Sequence, residues 1–194
     1  MNKIAIIAGL ALTASAMTAS AVETLLDIDL SVTNQLTITA TGSNALVTAS
    51  GSNFTGFLLA GFLNAADAGA GPGISDGVGD LTTANQTSDL GPSIFNGGSS
   101  VGINIWAFTA GGVDATTTAG FAAFSGSATW TVDASVYAAL LNGNINGDVY
   151  LNADTDDDIG AGGILIGAWG VKIPAPGSMA LLGLGGLVAG RRRR

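Results

Sequence analysis

Glycine recurs so often along this chain that its body has no room for a long helix. There are 30 glycines in 194 residues. Each glycine inside a helix costs about 1 kcal/mol relative to alanine, whereas a strand of five or six residues fits between such breaks. The apolar residues between the breaks follow a strand period. Leu26, Ile28, Leu30 and Val32 alternate with Asp27, Asp29 and Ser31, the pattern of a half-buried strand. Leu36, Ile38 and Ala40 alternate with threonines, and Asn34 between the two runs stands at a turn position, so the pair reads as a hairpin.

Further strands are expected at Ala45–Ala49, within Phe54–Leu63, at Val101–Thr109, Gly120–Phe124, Ala128–Val132, Asp148–Asn152 and Ile164–Val171. Val101–Thr109 is apolar on both faces and reads as a central strand. Asn64–Ser100 is polar and glycine-rich, and a structureless loop of that length is unusual in a compact domain. A short strand is therefore expected near Leu81–Ala84 or Ser93–Phe95. Phe54–Leu63 suits a short helix or a buried strand by periodicity, and its glycines favour the strand. Asp133–Leu141 reads as a short helix, with Val136, Tyr137, Leu140 and Leu141 at helical spacing, Asp133 as N-cap and Gly143 as terminator. The fold class implied is all-β: an antiparallel β-sandwich, jelly-roll-like in preference to Ig-like, with one short helix. No internal repeat suggests a solenoid.

The two ends of the chain do not belong to this pattern. Lys3, the apolar run Ile4–Leu12 and Ala19-Ser20-Ala21 before Val22 have the layout of a signal peptide over residues 1–21, with a second cleavable Ala-Ser-Ala at Ala14–Ala16. This implies export through the Sec machinery. The other end, Ile173–Arg194, reads IPAPGSMALLGLGGLVAGRRRR. Pro174 and Pro176 fix an extended entry, and Met179–Ala189 is uncharged. A helix over Ile173–Ala189 would reach about 26 Å, somewhat short of a bilayer core of roughly 30 Å. Arg191, Arg192, Arg193 and Arg194 favour a cytoplasmic C-terminus with the bulk of the chain outside.

This order of parts resembles the PEP-CTERM sorting signal of bacterial exosortase substrates. Pro174 and Pro176 match its two prolines, Met179–Ala189 its short apolar helix, and Arg191–Arg194 its basic cluster, while Ala175 stands where the family has glutamate. The resemblance implies an exosortase-like membrane enzyme as partner, transient anchoring of the C-terminus in the membrane, and delivery to the cell surface or extracellular matrix. The organisation expected is therefore residues 1–21 as signal peptide, 22–172 as β domain and 173–194 as sorting segment.

The β domain has an unusual inventory. Glu23 and thirteen aspartates against Lys172 alone give it a formal charge of −13, which excludes electrostatic binding of nucleic acid or anionic lipid. The chain has no cysteine and no histidine. Disulfides are therefore absent, and so are the commonest general base and the commonest transition-metal ligand. Asp154, Asp156 and Asp158 are spaced so that their oxygens could gather around calcium. Asn142, Asn144, Asn146 and Gly147 mimic the start of an EF-hand loop, but its twelfth position holds Ala153 instead of glutamate; counting from Asp154 gives Leu165 there. Trp106, Trp130 and Trp169 are candidates either for core packing or for stacking on sugars. No P-loop, nucleophile elbow or placed carboxylate pair is present, and Glu23 is the only glutamate, so an enzyme is not expected. Two readings follow: a structural protein of the surface or exopolysaccharide matrix with no cofactor, and a secreted carbohydrate-binding module assisted by calcium.

Overall fold

The computed structural model describes residues 22–53, 56–63, 75–84, 92–96, 102–106, 115–151 and 163–172, with backbone alone at 53, 75, 76, 95, 96 and 106. The first strands are β1 (Thr24–Asp29), β2 (Gln35–Ala40), β3 (Gly51–Asn53), β4 (Phe57–Ala60), β5 (Ser75–Asp76) and β6 (Val78–Gly79). They are followed by β7 (Thr82–Thr83), β8 (Ser93–Asn96), β9 (Gly102–Trp106), β10 (Ala115–Thr117), β11 (Phe124–Ser125) and β12 (Ser127–Thr131). The helix α1 (Ala134–Leu141) and the long strands β13 (Asn146–Leu151) and β14 (Ile164–Val171) complete the order. The described residues are mostly β with one short helix, as the glycine spacing implies.

Ten of the strands join in one sheet, in the order β5-β8-β9-β4-β13-β14-β1-β2-β12-β6, beside two small ribbons, β10-β3 and β11-β7. The β1–β14 pair is parallel and the other pairs are antiparallel, so the sheet is mixed. The sheet curls until its two edges meet. Edge strands β5 and β6 are consecutive in the chain, with Gly77 alone between them. The two layers expected of a sandwich are thus halves of a single curled sheet, joined where the chain passes from one half to the other.

That joint is built from three residues. The carbonyl of Pro92, just before β8, accepts the Gly77 N–H at 3.1 Å and the Trp130 indole N–H at 2.8 Å. Trp130 lies on β12 near the opposite edge and is fully buried. A Cβ on Gly77 would lie 2.6 Å from Trp130 Cε2 and 2.7 Å from Nε1, so only glycine fits. Inside the curl, Phe57 of β4 meets Phe124 of β11 edge-on at 4.8 Å between centroids, and Phe62 meets Trp169 at 4.9 Å. Leu26, Ile28, Leu36, Ile38, Leu59, Ile103, Ile105, Val149 and Ile166 fill the remaining core.

Several strand boundaries differ from the sequence pattern for visible reasons. Residues 45–49 form a turn, with Ala49 N–H donating to the Leu46 carbonyl at 2.9 Å, because Leu46 N–H bonds to Ile166 on β14 and the segment folds over that strand. Gly120, at φ 74°, makes a turn where a strand was expected; Ala122 forms only an isolated bridge with Asn44, and a strand starts at Phe124. Leu25 is buried beside Leu26, which alternation does not foresee: a register shift between Thr24 and Leu26 turns it onto Gly167, where a Cβ would come within 2.4 Å. One short strand is expected in the polar stretch at either of two places; strands are present at both, as β7 and β8, and β5 and β6 lie in the same stretch.

Gly77→Ala tests the joint. Overpacking against a buried indole that is hydrogen-bonded in place costs about 1–3 kcal/mol. For a domain of this size that lowers Tm by roughly 3–10 °C. Calorimetry with near-UV dichroism of the tryptophans measures it; an unchanged Tm would show that the edges are not held together here.

Candidate functional site

The sorting segment leaves the fold from the interior of the sheet. Strand β14 lies between β13 and β1, and its parallel register with β1 sets Thr24 opposite Ala168 and Ile28 opposite Val171. First and last strands therefore run the same way, and Val22 and Lys172 emerge at opposite poles. The pole at Lys172 (the tail pole) also holds the β1–β2 turn and the start of β13, since Asn146 pairs with Gly170. Helix α1 belongs there too: it starts three residues after Thr131, which pairs with Gln35, and its Tyr137 hydroxyl donates to the Leu30 carbonyl at 2.5 Å.

At this pole the last described residues of the backbone are well anchored. Val171 N–H donates to Ile145 and Lys172 N–H to Ile28, both at 2.7 Å. The Lys172 ammonium lies 2.7 Å from Asp27 Oδ2, but Lys172 is 62% exposed, and an ion pair in that setting adds about 0–1 kcal/mol. The backbone bonds fix the root of the tail, and Ile173 alone separates it from Pro174. Pro174, Ala175, Pro176 and Arg191–Arg194 lie outside the described residues, as do Ala19 and Ala21 of the signal cleavage site. Val22 is 44% exposed ahead of β1, accessible as a new N-terminus. Among the described residues no helix is long and apolar enough to cross a membrane.

The candidate calcium ligands Asp154, Asp156 and Asp158 also lie outside the described residues. Their stretch is bounded by Leu151 and Ile164, which pair at the pole opposite the tail. The upstream asparagines do not converge on one point: Asn142 closes α1, its side-chain amide donating to the Ala138 carbonyl at 2.9 Å, while Asn146 opens β13. Among the described residues no group of three or more His, Cys, Asp or Glu could hold a metal.

The tryptophans divide. Trp130 and Trp169 are fully buried, and their indole N–H groups donate to Pro92 at 2.8 Å and Ala60 at 3.0 Å. Neither presents a face to a ligand. The side chain of Trp106 lies outside the described residues. Among the described residues the large exposed aromatic is instead Phe121, 67% accessible on a turn closed by its own N–H to the Thr118 carbonyl. Ala45 donates to the Phe121 carbonyl at 2.8 Å and Gly120 N–H to the Ala45 carbonyl at 3.0 Å, so the turn is rigidly held. Phe121, Ala122, Thr116, Thr118 and Ala84 line an open pocket of about 400 Å³ at the pole away from the tail. Its lining carries no charge. Sequence reasoning placed Phe121 in a strand; the signal available was a lone phenylalanine between Gly120 and two alanines.

Compared with known families, residues 172–194 match the PEP-CTERM protein-sorting motif. No curated protein and no solved structure matches the chain. The motif implies export, anchoring at the membrane and processing there by an exosortase, consistent with a place at the cell surface.

The tail pole has a predictable pH response. Hydrogen bonding from Ser31, whose N–H donates at 2.7 Å, holds the Asp29 carboxyl below the usual carboxylate range, with a smaller contribution from Lys172. A depressed folded-state value contributes stability that is complete above the unfolded value of about 3.9 and is lost as pH falls through the lower, folded one. Asp29→Asn is expected to lower Tm slightly at neutral pH and to leave it unchanged once the pH has fallen below the lowered, folded-state value. Thermal melts of both proteins across that range measure it; an equal difference at every pH would refute the assignment.

Proposed function

We propose that the chain is an exported structural component of the bacterial cell surface or exopolysaccharide matrix, held transiently in the membrane by its tail and released or transferred by an exosortase-like enzyme. The sorting motif at residues 172–194 carries this reading. The composition supports it: the domain is strongly acidic, and the chain lacks cysteine and histidine altogether. We read the domain as non-catalytic and without a required cofactor, and the stretch Asp154–Asp158 as a solvated acidic turn. Glu23, the only glutamate, accepts the Asn44 N–H at 3.3 Å on the surface, a capping contact with no second carboxyl assigned to it.

The test is the C-terminal mass of protein recovered from cell surface and medium. A chain ending between Ile173 and Gly177 is expected. Replacing Arg191–Arg194 by serine should abolish that product, and Ala175→Glu should increase it, since glutamate restores the family's usual motif. Recovery of full-length chain ending at Arg194, confined to membranes, would leave a simple anchor.

A second reading, a carbohydrate-binding module, is supported by one observation: the rigid turn that presents Phe121 beside an uncharged, threonine-lined pocket. An exposed ring with nearby hydroxyls suits the apolar face and hydroxyl groups of a neutral sugar. Affinity electrophoresis in gels of neutral polysaccharide tests it. Retardation that disappears in Phe121→Ala and persists in Val47→Ser would support the module; no retardation in any polysaccharide would refute it.

A further inference from the structure

The only helix described lies at the pole from which the tail departs, and its outer face lacks charge. A surface helix ordinarily carries charged residues opposite its buried stripe. In α1 the buried residues are Val136, Ala139 and Leu140, and the exposed ones within the helix are Ala134, Ser135, Ala138 and Leu141. Ala134, Ala138 and Leu141 fall at i, i+4 and i+7, one stripe of the helix. Leu141 and Ile145 are each 56% exposed and Val32 is 53% exposed. All three lie at the tail pole: Val32 in the β1–β2 turn, Leu141 at the end of α1, and Ile145 bonded through its carbonyl to Val171.

The chain outside the fold says what faces this surface. Between Lys172, the last described residue, and Met179, the first of the apolar run, lie six residues. Fully extended they span about 20 Å. A headgroup layer accounts for roughly 5–8 Å of that on one side of a bilayer. While the apolar run is inserted, the tail pole is therefore held close to the membrane surface. We propose that the outer face of α1, with Val32 and Ile145, is a lipid-contacting foot on which the domain rests before processing. This rests on the reading that the tail enters the bilayer. Asp29 and Asp133 are exposed at the same pole, and Asp27 is already paired with Lys172. The foot is accordingly suited to zwitterionic phospholipid, and anionic lipid would repel it.

The absence of cysteine from the chain makes the test direct. Chains spanning Val22–Arg194 are reconstituted in phosphatidylcholine vesicles, each with one substitution carrying an environment-sensitive fluorophore. Leu141→Cys and Ile145→Cys report the foot, Val78→Cys and Phe121→Cys report other exposed apolar positions, and Leu184→Cys reports the tail. Near-UV dichroism checks that each variant is folded. The result expected is a blue shift at 141 and 145 with quenching by nitroxide headgroup lipids, no change at 78 and 121, and quenching at 184 by nitroxides deep in the acyl chains. If 184 is quenched while 141 and 145 behave like 78, the foot is refuted and the anchor stands. An unquenched 184 overturns the anchor and the foot with it. Concentration-dependent blue shifts at 141 and 145 without vesicles would assign the face to a second copy of the chain, and shifts seen only with the processing enzyme present would assign it to that enzyme; either result overturns the foot.

Discussion

The carbonyl of Pro92 is the point on which closure of the fold depends. Proline contributes no donor, and here its oxygen serves both edges of the sheet, through Gly77 N–H and the Trp130 indole. An open sheet of ten strands would present two edges able to pair with other chains. This one runs its first edge into its last through a single glycine, and buries the largest side chain available over the seam. Burial of Trp130 and its hydrogen bond are coupled: an indole N–H without a partner in that interior would carry a desolvation penalty of about 1–3 kcal/mol. A protein without disulfides outside the cell must hold its shape by such means.

The parallel pairing of β1 with β14 has a different consequence. It makes the first and last strands neighbours, yet separates Val22 from Lys172 by the length of the sheet. An antiparallel pair would have placed Val22 beside Lys172. With the parallel pair, one pole carries the root of the tail, α1 and the exposed aliphatics. The other carries Val22, Phe121 and the pocket. A domain anchored by its tail and built this way would present the pocket and Val22 away from the membrane.

Much of this was legible in the sequence where periodicity and turn chemistry agreed. Leu26–Leu30, Leu36–Ala40 and Ile164–Val171 gave strands within a residue or two, and Asp133 opened the helix. Residues whose state depends on partners remote in sequence were not legible. Leu25 is turned inward by a register shift against Gly167, and no alternation encodes that. Leu46 is recruited by a carbonyl of Ile166, 120 positions away in the chain. The sheet's closure was hidden because Gly77 looks like any turn glycine until Trp130 is packed against it. The tryptophans read equally well as core or as ligand platform, since burial of an indole is decided by whether its N–H finds a carbonyl; Trp130 and Trp169 both did. The sorting motif was legible throughout because it is read linearly, by residue type and order.

Charge ties the domain to its tail. Membrane orientation follows the difference in Lys and Arg near the two ends of a spanning segment, with carboxylates contributing little. On the outer side the domain offers Lys172 alone, and on the inner side stand Arg191–Arg194. A domain with ordinary numbers of surface lysines and arginines close to the bilayer would weaken that difference. Replacing them by aspartate, threonine, serine and asparagine retains solubility without competing with the tail. A scarcity of lysine and arginine is thus compatible with placing a folded domain a few residues from a short, glycine-containing segment whose orientation would be set by four charges.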